Sequence, residues 1–177
     1  MSTRSNNQAS NILLAATEVI AQRGAGKLTI ESVARQAGMS KGGVLYHFPT
    51  KDALLEGMLS ALLSKIDDRR EHGSDKSVLS ALLGSLDFSD QSERNMSLAI
   101  LAASAERPEL LKPAKAYFQQ VTRDVARESK DPDLAKILML ALEGLRFMHM
   151  LDLVPWSSNQ TKSLMKRMLL IAAEESS

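Results

Sequence analysis

The sequence predicts an all-α protein in two parts, a small three-helix head followed by a larger helical body. Three observations carry this expectation. Apolar residues recur at helical spacing along most of the chain, no stretch alternates with the period of two that strands require, and aromatics are only 4% of a 177-residue chain rich in Leu, Ala and Met. The apolar share of 44% and the charged share of 24% are those of a globular protein. The chain has no cysteine, which excludes disulfides, thiolate metal sites and cysteine nucleophiles.

In order along the chain, Ile12, Leu13, Ala16, Val19 and Ile20 form one helical stripe, and Gly24 and Gly26 follow it as terminating glycines. Two short helices are expected over 29–37 and 41–48, then a longer one over about 51–70. Thr29, Ser40 and Thr50 each stand where a hydroxyl can accept from the first free backbone N–H groups of a helix. The polar run 71–75 reads as a connector. Further helices are expected at about 75–87, 90–106, 108–129, 132–153 and 161–175, interrupted at Arg107-Pro108, Asp131-Pro132 and 155–160. The head is assigned to 1–50 and the body to 51–177, with 51–70 as the helix connecting them.

The charge is unevenly divided. The total is +1, yet the first 51 residues hold six bases against two acids. A basic head on an acidic body is the asymmetry expected when one end meets a polyanion. Residues 1–10 lack the apolar core of an export signal, and the apolar runs are too short to cross a bilayer, so a cytoplasmic location without membrane association is expected.

The specific signal lies in 30–48. A helix-turn-helix needs a small residue where two helices touch and a left-handed residue in the turn between them, and Ala34 and Gly38 meet those needs. Val33, Ala37, Met39 and Val44 supply the apolar face, leaving Ser40, Lys41, Gly42 and Gly43 at the exposed start of the second helix. Gly42 and Gly43 cost about 1 kcal/mol each relative to Ala in a helix, so helix stability does not recommend them. Lacking side chains, they let a backbone approach a DNA surface closely. Ser40, Lys41, Tyr46, His47, Thr29 and Lys51 are donors of the kind that phosphates and base edges accept. Lys51 and the amides after Thr50 make a helix start suited to one phosphate.

The run from Leu28 to Leu55, with Gly-Met-Ser-Lys-Gly, Leu-Tyr-His-Phe and Lys-Asp-Ala-Leu-Leu in order and the Ile12 to Gly24 helix before it, strongly resembles the DNA-binding domain of TetR-family transcriptional regulators. The resemblance covers roughly residues 8–60. It implies that Ser40, Lys41, Gly42 and Gly43 face a DNA groove, that Thr29, Tyr46, His47 and Lys51 contact phosphates, and that Phe48 anchors the recognition helix. Gly43 departs from the pattern, because relatives often carry a base-reading side chain there. Readout is therefore expected to rest more on Lys41, Leu45 and DNA shape.

The body resembles the family only in its helical pattern. Leu134, Ile137, Leu138, Ala141, Leu142, Leu145 and Met148, and then Leu164, Met165, Met168, Leu169 and Ala172, recur at helical spacing on two helices. Family resemblance places a homodimer interface on these last two helices. Six of the nine methionines lie beyond residue 90, and their flexible thioethers suit a pocket for varied apolar ligands. A site for a small apolar or amphipathic effector is expected among Phe88, Met96, Tyr117, Phe118, Phe147, His149 and Trp156, with Glu143, Arg146 and His149 as polar anchors.

No cofactor or metal is called for. His149 and Asp152 are three apart and Glu143 lies six before His149, but no second histidine cluster supports a metal or acid–base site there, and no phosphate loop or nucleophile elbow exists. The expectation is a homodimeric repressor, not an enzyme, that binds a palindromic operator and is released by an effector. The alternative is a ligand-independent regulator or activator whose body binds a protein partner.

Overall fold

The computed structural model describes residues 2–71, 77–84 and 88–175. Among them are nine α-helices and no strand: α1 (Ser2–Arg23), α2 (Ile30–Gln36), α3 (Lys41–His47), α4 (Lys51–Glu71), α5 (Val78–Gly84), α6 (Gln91–Ser104), α7 (Lys112–Arg127), α8 (Pro132–Met150) and α9 (Ser158–Glu175). Short 3-10 turns occupy Ala25–Lys27 and Pro108–Leu111. Most of the expected connector 71–75 lies outside the described residues.

The chain packs into two compact units. The first comprises residues 1–62 and 90–114, the second residues 63–89 and 115–177. The first unit therefore contains α6 and the turn after it as well as the head, and α4 contributes its beginning to the first unit and its end to the second.

In the first unit the α1 stripe is buried as its spacing requires, with Ile12, Ala16 and Val19 fully enclosed alongside Leu28, Val33, Val44, Leu54 and Met58. The α6 residues Ala99 and Ile100 are also buried, and α6 packs on α1. Gln36 Nε2 donates to Glu18 Oε2 at 2.6 Å, fixing α2 to α1.

The second unit closes around Ile66, Leu79, Leu82, Leu83, Val121, Val125, Leu138, Met139, Leu142 and Met168. The end of α9 is tied to the loop between α7 and α8, with Lys130 N–H donating to the backbone oxygen of Glu175 at 2.9 Å and Asp131 N–H donating to its side-chain Oε2 at 2.9 Å. Just past the end of α8, Asp152 is a non-glycine residue with φ +59°, and its N–H donates to His149 O at 3.2 Å. Its place beside His149 is thus that of a helix terminator. Trp156, a candidate pocket residue by sequence, donates from Nε1 to Thr161 Oγ1 at 3.0 Å and fastens the loop into α9.

Candidate nucleic-acid interface

The turn between α2 and α3 has the construction its sequence required. Gly38 is left-handed at φ +65°. Met39 N–H donates to Ala34 O at 2.9 Å and Gly38 N–H donates to Arg35 O at 3.4 Å, the paired bonds that close a helix on a left-handed residue. Val33, Ala34 and Val44 are buried where the two helices meet.

All three expected hydroxyl caps form. Thr29 Oγ1 accepts from Ser32 N–H at 3.0 Å while Thr29 N–H donates to Ser32 Oγ at 2.9 Å, a reciprocal box. Ser40 Oγ accepts from Gly43 N–H at 3.1 Å, and Thr50 Oγ1 accepts from Ala53 N–H at 3.0 Å. The Ser40 and Thr50 hydroxyls each keep a proton for an acceptor such as a phosphate oxygen, whereas that of Thr29 faces the Glu31 carboxylate.

At the start of α3 the two glycines have ordinary helical backbone and room for a side chain. A Cβ at Gly42 would meet only Ser40 Oγ, at 4.0 Å, and one at Gly43 would meet Met39 Cε and Ser40 Oγ at 3.4 Å. Neither the turn nor the packing demands glycine there, so what distinguishes this tip is its bare backbone.

The charged and aromatic groups surround that tip. Lys41 Nζ lies 2.5 Å from Glu31 Oε1, both side chains being more than half exposed. The hydrogen bond from Lys41 holds the Glu31 carboxyl below the usual carboxylate range. Such an exposed pair can be exchanged for another anion. Tyr46 is 82% exposed, far from the half-buried core tyrosine its residue type alone would suggest. Its ring meets His47 edge to face at 5.2 Å, and His47 Nε2 lies 3.4 Å from Gln8 Oε1 of α1. Lys51 is half-buried in the first turn of α4, in the same unit. The first unit thus holds all eight candidate residues, on a helix tip, its flanking caps and the next helix start. That assembly is suited to hydrogen-bonding a polyanion at close backbone approach.

The candidate effector residues separate. Tyr117 and Phe118 line a narrow cleft in the second unit with Ile66, Leu82, Val121, Met139, Glu143 and Arg146. Its volume is about 10 Å³, room for one water at most. Phe88 and His149 form a separate stack, ring centroids 3.9 Å apart and inclined by 16°. Phe147 is 48% exposed, and Met96 lies on α6 in the first unit. Of the polar anchors, Arg146 Nε is buried 3.7 Å from Glu143 Oε2.

Burial raises the Glu143 carboxyl above its ordinary 4.5, with Arg146 opposing more weakly. A carboxyl with a raised folded-state pKa favours folding below the unfolded pKa, and that contribution is lost as pH rises through the folded value. Glu143→Gln is therefore expected to gain stability over the parent as pH rises above 4.5, with the gain vanishing at lower pH. Denaturant midpoints across that range check it.

Sequence reasoning missed one feature of α8. Ile137, Leu140 and Phe147 are all exposed, Leu140 by 68%, on a helix whose other side carries the buried Leu138, Leu142 and Leu145. The apolar residues of α8 therefore make two faces, a core face and an open one. A helix that is apolar nearly all round was the available signal. On α9, Leu164 and Leu170 are exposed while Met168 and Ala172 are buried.

Among the described residues no group of three or more His, Asp or Glu could hold a metal, and no helix is long and apolar enough to cross a membrane.

Residues 12–58 match the family described as bacterial regulatory proteins of the tetR family, and residues 76–173, more than half of the chain, match the tetracyclin repressor-like C-terminal domain. The chain belongs to the TetR family. TetR-family proteins are DNA-binding transcriptional regulators and not enzymes, and this chain is one of them. Solved structures agree in fold. A TetR transcription regulator from Haloarcula marismortui superposes with a TM-score of 0.75 at 20% identity, covering 97% of this chain and all of that one (100%). A transcriptional regulator from Saccharomonospora viridis in complex with choline gives 0.74 at 19% identity, covering 93% and 96%. The multidrug binding protein EbrR complexed with malachite green gives 0.70 at 22% identity, covering 90% and 96%. No curated protein matches the sequence.

Proposed function

We propose that this TetR-family chain is a homodimeric repressor whose two α3 helices enter successive major grooves of a palindromic operator, with half-sites about 34–36 Å apart. The observation that carries the reading is the bare start of α3, where glycine is required neither by packing nor by backbone conformation, ringed by Ser40, Lys41, Tyr46 and His47. Thr29 and Lys51 hold phosphates beside the groove. The exposed apolar side chains of α8 and α9, Ile137, Leu140, Phe147, Leu164 and Leu170, belong to the surface that pairs two copies, since large apolar groups left open to water favour association. The protein acts in the cytoplasm.

A small-molecule effector releases the operator. Two observations support this: the aromatic cleft with its half-buried Glu143 and Arg146, and the choline and malachite green complexes of two structures with the same fold. Helix α4, which contributes to both units, is the element that transmits the change. Ligand and operator then weaken each other by typically about 1–3 kcal/mol.

The test is selection of bound duplexes from a random library, followed by affinity measurements at several salt concentrations. Affinity falls steeply with salt through counterion release, and Lys51→Ala lowers the logarithmic slope by about one. A Lys51→Ala variant with the parent slope contradicts its phosphate role. A chain that stays monomeric in light scattering contradicts the dimer.

The narrowness of the aromatic cleft, about 10 Å³, favours a second reading in which the body serves a protein partner. Calorimetric titration with malachite green separates the two. Binding that loosens the operator supports the effector reading, and absence of binding supports the partner reading.

A further inference from the structure

We propose that the first unit contains a second binding site, for a small amphipathic zwitterion, and that a ligand there competes directly with DNA. The site is a half-open cleft of about 190 Å³ between the Ala25–Lys27 turn, the first turn of α4 and the end of α6. This is much larger than the aromatic cleft of the second unit, and a cavity of about 150 Å³ already accepts a molecule the size of benzene.

The cleft exists because its α6 wall is built from small side chains. Ala99, Ala102 and Ala103 stand three and four apart, on one helix face. Leu28 and Leu55, both well buried, contribute further apolar surface. The middle of the cleft therefore suits a short hydrocarbon body.

The charges at its edge set the ligand's ends. Arg107 is held by an ion pair with Asp52, which neutralises it and fixes the turn after α6 to the first turn of α4. Lys51 and Glu106 line the same cleft, but they pair neither with each other nor with any other described residue. One open cation and one open anion lining a cleft with apolar walls match a carboxylate and an ammonium joined by methylene groups. A simple carboxylate would meet Lys51 but be repelled by Glu106, and a simple amine the reverse.

The competition follows from Lys51 and rests on the reading that this lysine meets a phosphate. A ligand carboxylate on Lys51 occupies the cation that DNA needs. Release at this site requires no change in the second unit.

The full chain is titrated calorimetrically, without DNA, with ε-aminocaproate, and with caproate and hexylamine as single-charge controls. The zwitterion is expected to bind about tenfold more tightly than either control, the scale of one charge-assisted hydrogen bond. Ala102→Leu, at an exposed position, fills the cleft and abolishes binding. Glu106→Gln makes ε-aminocaproate and caproate bind alike. Equal binding of all three probes to the parent, or undiminished binding to Ala102→Leu, overturns the site. With a selected duplex present, ε-aminocaproate displaces DNA from the parent and leaves it on Ala102→Leu. Bound zwitterion without displacement overturns the competition. A chain that binds no duplex defeats the DNA reading and the competition together, while the calorimetry still decides the site.

Discussion

Gly57→Ala destabilises the protein, although alanine is the better helix former by about 1 kcal/mol in the middle of a helix such as α4. A Cβ at this position would lie 2.6 Å from Phe48 Cε1, 3.3 Å from its Cζ and 3.4 Å from Leu13 Cδ2. The ring cannot retreat freely, because Phe48 closes α3 with its N–H donating to Val44 O at 2.8 Å and is followed by Pro49. Overpacking of this kind costs about 1–3 kcal/mol, enough to exceed the gain in helix propensity. The denaturant midpoint should fall, and fall further for Gly57→Val. Adding Phe48→Leu to Gly57→Ala should recover much of the loss by making room. Operator affinity should fall with the single substitution, since Phe48 sets the end of α3. A raised midpoint for Gly57→Ala would show that the Phe48 contact does not limit α4.

Gly43 behaves in the opposite sense. Gly43→Ala places a methyl group in ordinary contact with Met39 and Ser40 and removes a poor helix former from α3, so stability rises by up to about 1 kcal/mol. Operator affinity nevertheless falls, because the added Cβ holds the helix tip away from the duplex. Gly43→Glu carries the larger effect: a carboxylate brought among phosphates should cost about a hundredfold or more in affinity with little change in melting temperature. Melting curves and fluorescence anisotropy on the same samples check both. If Gly43→Glu retained the parent affinity, the start of α3 would not face DNA.

The opposite signs expected at Gly57 and Gly43 show where the sequence was legible. Local features could be read directly. Thr29, Ser40 and Thr50 each cap a helix because donor and acceptor lie within three residues, and Gly38 is left-handed because the turn between two touching helices needs it. The stripe on α1 is buried because its period already defines a face. Long-range features could not be read. Nothing in Gly57 itself announces Phe48 nine residues away, and nothing joins Asp52 to Arg107 except the fold that brings them together.

The same limit explains the body. Periodicity places Ala99 and Ile100 on one face of α6 but does not say that this face packs in the first unit. Aromatic type selected Phe88, Tyr117, Phe118 and Phe147 together, yet only Tyr117 and Phe118 line the cleft: Phe88 stacks on His149 instead, and Phe147 lies on the open face of α8, where both faces are apolar and composition cannot assign inside from outside. Glu143 and Arg146 could be singled out because ionisable groups stand out in the apolar run 137–148, and both line the cleft.

Whether the bare start of α3 lies against DNA is tested most directly by amide chemical-shift mapping. Labelled protein is titrated with a selected duplex at low ionic strength. The expected result is a footprint concentrated on residues 40–47, with further shifts at Thr29 and Lys51. A footprint confined to α8 and α9, or no response to any duplex, would contradict it.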